Sequence, residues 1–176
     1  MNKEDRVNLS FYVIIVVGDN MNEYMKVAKD LADDNLITNV GGPFGACIVK
    51  GGKIIGRGSN HVLENNDPTA HAEIMAIRDA CKNINSYDLS GCEIYTSCYP
   101  CPMCISAIIW SNITKIYYGN TKEDAEDIGF RDKYIYDVIS KINNNEKIDL
   151  EFKCIDRKET IKTFNNYMEK QDKTIY

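Results

Sequence analysis

A chain of 176 residues, 44% apolar and 27% charged, suits one domain with a packed core and excludes a disordered polymer. A net charge of −5, with no block of lysine and arginine, argues against an extended nucleic-acid footprint and for a small neutral substrate. The seven cysteines form no evenly spaced framework, so they read as reduced thiols of a cytoplasmic protein. Cys47, Cys81, Cys92 and Cys154 are expected as small buried hydrophobes, and Cys98 as buried beside a site.

The first apolar run, Leu9 to Val17, is too short to cross a bilayer as a helix and lacks the cleavage site of a secretory leader, so no membrane association is expected. Residues 1–20 form an N-terminal extension, expected to be an over-long start assignment because Met21 opens the first amphipathic helix. A native peptide beginning at Met1 would contradict that. The helix is expected over Met21–Asn35, where Tyr24, Met25, Ala28, Leu31 and Ala32 recur at helical spacing. Ala46–Val49 and Lys53–Gly56 flank Lys50-Gly51-Gly52 and predict a β-hairpin. Asn65–Thr69 predicts a turn that delivers His71 to a helix running to about Asn83. A short strand at Glu93–Thr96, a helix from Cys101 to about Ser111 and a strand at Lys115–Tyr118 follow. Helical pieces are expected over Lys122–Ile128, Lys133–Asn143 and Thr160–Glu169, with a last strand at Leu150–Cys154. Strands alternating with helices imply a layered α/β domain.

The chemistry is concentrated in His71-Ala72-Glu73 and Pro100-Cys101-Pro102-Met103-Cys104. Cys101 and Cys104, three apart on the first turn of a helix, present both sulfurs on one face. The helix start favours thiolate over thiol. His71 completes a three-ligand set, which leaves the fourth position of a zinc ion to water, as in catalytic zinc sites. A closed structural zinc using Cys98 is the alternative. Zinc lowers the pKa of bound water, and Glu73, two residues from a ligand, is placed to accept its proton and return it to a substrate ring nitrogen. The pattern H-x-E…P-C-x-x-C is that of zinc deaminases, with the glutamate as acid and base.

These motifs, with Gly41–Ala46, Asn66–Glu73, Tyr95–Cys98 and Ile109-Trp110, resemble the cytidine-deaminase-like superfamily, and Asp124–Asp132 and a terminal tyrosine are similar to its bacterial guanine deaminases. The resemblance covers nearly everything from Met21 to Tyr176 as one zinc-dependent deaminase domain. It implies a three-layer α-β-α fold with a five-stranded mixed sheet, one zinc per chain, and a homodimer that swaps C-terminal segments. It implies conversion of guanine to xanthine and ammonia by attack at C2. Phe44 and Trp110 would line or stack on the purine, while Asn60 and the Ala72 N–H would hydrogen-bond it. Asp132 would carry protons to the leaving amine, and Tyr176, from a swapped tail, would close the pocket.

By the residues alone, Trp110 reads as core, Asn60 as a turn residue, Asp132 as a helix N-cap and Tyr176 as a frayed end. Phe44 reads equally as loop packing or pocket lining. Tyr99 stands where the family usually has glutamate, and Arg131 where an acidic residue commonly stands. Substrate choice therefore stays open to a tRNA adenosine deaminase or a deaminase of guanosine, cytosine or another small base. A zinc-stabilised binding module is disfavoured by Glu73, which metal binding does not require.

Overall fold

The structure, a computed structural model, describes residues 21–175; the N-terminal extension and Tyr176 lie outside the described residues. Helix α1 (Glu23–Thr38) starts two residues after Met21 because the Asn22 side chain accepts hydrogen bonds from the N–H groups of Tyr24 and Met25. It ends at Asn39, which adopts the left-handed conformation. Strands β1 (Gly45–Lys50) and β2 (Lys53–Ser59) form the expected hairpin around Gly51-Gly52. A short helix α2 (Val62–Asn65) precedes α3 (Ala72–Ile84). Then come β3 (Cys92–Cys98), α4 (Pro102–Trp110), β4 (Lys115–Asn120), α5 (Lys122–Asp127), α6 (Asp132–Asn143) and α7 (Arg157–Glu169).

The sheet order is β2-β1-β3-β4, antiparallel except for the parallel β3–β4 pair. Alternation along β1 builds the layers. Cys47 and Val49 pack with Tyr95 against Tyr24, Met25 and Val27 of α1. Ala46 and Ile48 face the other way, into a core with Ile94 of β3, Ala72, Ala76 and Ala80 of α3, and Ile108 of α4. The result is the expected three-layer α-β-α fold.

Among the described residues there are four strands, not the five expected. Leu150–Cys154 is exposed and pairs with nothing among the described residues, because it lies between α6 and α7, neither of which buries a residue. Cys154 is accordingly exposed rather than core, and Cys81 is only half-buried. No described helix is long and apolar enough to cross a membrane.

One packing contact fixes the position of α3, and with it the site. A Cβ on Gly56 would lie 2.5 Å from the Ala76 carbonyl oxygen, and one on Gly58 would lie 2.4 Å from that of Ala72. Glycine on the strand and alanine every fourth residue on the helix let the two backbones touch. Helix α3 also covers the free edge of β2, since Asp79 accepts from the Arg57 N–H (2.9 Å) and Asn83 donates to the Ile55 carbonyl (2.9 Å). Edge groups that would otherwise invite another strand are thereby satisfied.

Candidate active site

Two helix starts converge on one point. The Asp67 carboxylate accepts hydrogen bonds from the N–H (2.8 Å) and hydroxyl (2.7 Å) of Thr69, and this turn delivers His71 to the N-cap of α3. From the other side, β3 runs through Pro100 to Cys101, the N-cap of α4, with Pro102 in its first turn. Neither His71 nor Cys101 uses its side chain as a cap, so both side chains are free to act as ligands. The first-turn N–H groups of both helices add partial positive charge there.

His71 Nδ1 lies 3.6 Å from Cys101 Sγ and 3.7 Å from Cys104 Sγ. A tetrahedral zinc, with bonds of about 2.05 Å to nitrogen and 2.3 Å to sulfur, holds such donors roughly 3.6 Å apart, so the triad fits zinc. The three donor atoms lie within 4.8 Å of one another, and no fourth residue joins the group among the described residues. Cys98, the alternative fourth ligand, donates to the Thr121 carbonyl at 3.3 Å. His61 is held by Glu64 (2.6 Å) and Ser59 (3.1 Å).

The hydrogen bond from Cys104, and then His71, hold the Cys101 thiol far below the usual thiol range. The same contact raises Cys104, and the hydrogen bond with Cys101 raises His71. Glu73, 6% exposed, stands beside the triad and outside it. Burial pushes its carboxyl up. One oxygen accepts from the Thr96 hydroxyl at 3.2 Å and the other from Cys104 at 3.4 Å.

A cavity of about 590 Å³ opens onto His71 and Glu73, lined also by Phe44, Asn60, Tyr99 and Asp132. Phe44 meets Phe130 edge to face at 4.7 Å. Asp132 is the first residue of α6, with Arg131 at the cap, and not the N-cap that its sequence context suggests. Burial, then the neighbouring Cys101, raise its carboxyl. The Asn60 side chain has its Oδ1 engaged by the N–H groups of Gly42 (3.3 Å) and Val62 (3.1 Å), which leaves its NH2 as the end available to a ligand. Ala72, fully buried, is the first residue of α3. Trp110 is neither core nor cavity wall: it sits at the far end of α4, 66% exposed.

Three residues that frame the site went unassigned in the sequence. Asn35 of α1, 3% exposed, donates to the carbonyls of Gly42 (2.8 Å) and Asn60 (2.7 Å). Tyr136 of α6 donates to the Pro100 carbonyl at 2.7 Å and so ties the helix of Asp132 to the cysteine loop. Thr96 holds Glu73. Each acts over a long sequence separation, and no local pattern marks it.

The fold and the triad together define a zinc-dependent deaminase, and the chain belongs to the cytidine and deoxycytidylate deaminase family, whose zinc-binding region matches residues 19–120. It is 48% identical over 122 residues to a guanine deaminase of Bacillus subtilis, covering 69% of this chain and 78% of that one. The crystal structure of guanine deaminase from that species superposes with a TM-score of 0.80 at 41% identity, over 89% of this chain and 99% of the other. A tRNA-specific adenosine deaminase of Aquifex aeolicus is 49% identical over 77 residues, 44% of this chain and 51% of its own.

Proposed function

We propose that this enzyme hydrolyses guanine to xanthine and ammonia. The observation that carries the choice of base is the fixed amide of Asn60. With Oδ1 occupied by two backbone donors, Asn60 offers a hydrogen-bond donor to the cavity. Guanine presents two acceptors, N7 and O6, on the edge where adenine places an acceptor beside an amino donor. A site built to donate there favours guanine, because the wrong base leaves groups unpaired. The long structural match supports the same base: at 89% of this chain it must extend past β4 into the region that supplies Phe130 and Asp132.

His71, Cys101 and Cys104 would hold the zinc, which when bound makes a water acidic enough to attack at neutral pH. Glu73 accepts the proton that the water gives up and passes it to a ring nitrogen. The water oxygen bonds to C2, and the C2–N bond breaks as the amino group, with the help of Asp132, takes the second proton of that water and leaves as ammonia, the oxygen staying as the C2 carbonyl. Phe44 packs against the base, and the Ala72 N–H gives it a further hydrogen bond.

We also infer a homodimer that exchanges C-terminal segments. Phe152, Ile155, Phe164 and Met168 leave apolar surface open in the tail, as do Tyr117 and Tyr118 on β4 and Ile109 and Trp110 on α4. The exposed segment Leu150–Cys154 would be covered by the partner. Tyr176, arriving with the swapped tail, would close the cavity, and Trp110 would meet the base or the partner only in that assembly.

Exchange of Glu73 for glutamine tests the chemistry. The variant keeps about one zinc per chain, the content of a single three-ligand site, and releases no ammonia from guanine. Undiminished turnover would remove Glu73 from its role.

A further inference from the structure

Thr96 is 1% exposed in the middle of β3, with Ala46 and Tyr118 beside it on the neighbouring strands. Cys92 and Ile94, on the same face of the strand, are apolar core. A valine would continue that row with the same volume and no polar group to satisfy. A hydroxyl stands there instead, and it donates to Oε1 of Glu73 at 3.2 Å.

The other carboxylate oxygen, Oε2, is on the side of the cysteines, 3.4 Å from Cys104 Sγ. As a zinc ligand Cys104 is a thiolate and has no S–H to donate. Glu73 then keeps the Thr96 hydroxyl. We propose that Thr96 is a positioning residue: it fixes Oε1 so that Oε2 faces the cavity as the oxygen that carries the proton. This rests on the reading of Glu73 as the proton carrier.

A hydrogen bond to a carboxylate that orients it for the reaction is felt in turnover rather than in ligand binding. Thr96→Val therefore lowers kcat by about tenfold to a hundredfold. KM for guanine and the zinc dissociation constant measured against a chelator stay close to wild type, and the thermal midpoint of the metal-free protein falls by no more than the loss of one buried hydrogen bond requires. Thr96→Ser restores most of kcat. In a Glu73→Gln background, Thr96→Val costs no more than about twofold further, as residues acting through one another do not add. If Thr96→Val does not fold, Thr96→Ala carries the same expectations. An unchanged kcat in Thr96→Val, alongside an inactive Glu73→Gln, would overturn the role of Thr96 alone. A fully active Glu73→Gln would overturn the reading of Glu73 and this proposal with it. Parallel losses of kcat, zinc affinity and thermal midpoint would make Thr96 merely structural.

Discussion

The side-chain amide of Asn35 donates to the backbone carbonyl of Asn60 at 2.7 Å and, with its second hydrogen, to that of Gly42 at 2.8 Å. One buried amide thus joins α1 to both segments that hold the proposed base-reading donor. Asn35→Ala leaves two inward carbonyls without a partner. It should destabilise the fold by about 1–3 kcal/mol and raise KM for guanine more than it lowers kcat. Denaturant unfolding and steady-state kinetics check the two effects separately.

The close approach of β2 to α3 predicts a steric failure at Gly58. A Cβ there would lie 2.4 Å from the Ala72 carbonyl oxygen, and helix and strand backbones have no flexible end to move aside. Gly58→Ala should cost roughly 1–3 kcal/mol or more, and because Ala72 lies between His71 and Glu73, zinc affinity should fall as well. Unfolding free energy and chelator competition measure both.

The Asp67 turn gives a pH dependence. The hydroxyl and N–H of Thr69 hold the Asp67 carboxyl below its usual value in the fold. The folded state therefore binds this proton less readily than the unfolded chain does. The turn's contribution is complete above the unfolded pKa, about 3.9, and is lost as pH falls through the lower folded value. Asp67→Asn should lower the thermal midpoint at neutral pH, with a gap that narrows as acid protonates the wild-type carboxyl. A gap unchanged at low pH would contradict this account.

Removal of zinc should abolish turnover and lower stability together. A ligand that binds only the folded chain stabilises it by about 4 kcal/mol when present at a thousandfold excess over its Kd. Dialysis against a chelator should lower the thermal midpoint, and added zinc should restore it. Cys104→Ser should resemble the chelated protein at all but high zinc concentrations.

The proposed exchange of tails predicts twice the chain mass in sedimentation equilibrium. Deleting residues 174–176 should weaken guanine turnover while leaving the thermal midpoint near wild type. Deleting 146–176 should expose Tyr117 and Tyr118 fully and give a poorly soluble chain. A fully active monomer would contradict the exchange.

The metal triad was legible because its signal is local. Cys101 and Cys104, three apart, share one face of a helix start, and Glu73 follows His71 by two residues at the start of another. The hairpin was legible from its glycine turn, and the α/β layering and every helix except the short α2 from their residue patterns. Thr96 was not, since a threonine in a strand satisfies β propensity whatever its hydroxyl does, and its partner is 23 residues away. Asn35 sits on the buried face of α1 and gives no sign of its bonds to Gly42 and Asn60. The strand expected at Leu150–Cys154 is not formed: its alternation of apolar and polar residues suits a strand, but a strand needs a neighbour, and none pairs with it among the described residues. Trp110 showed the opposite failure: its place at the end of an apolar helix suggested burial, yet it lies in the open.

The choice of base is the central claim, and ammonia release tests it most directly. The zinc-loaded enzyme should be offered guanine, guanosine, adenine, cytosine, cytidine and a tRNA anticodon stem-loop in parallel. The account predicts the highest kcat/KM on guanine, with xanthine as product, and no release from the stem-loop. Release from the stem-loop alone, or a clear preference for a cytosine compound, would contradict it.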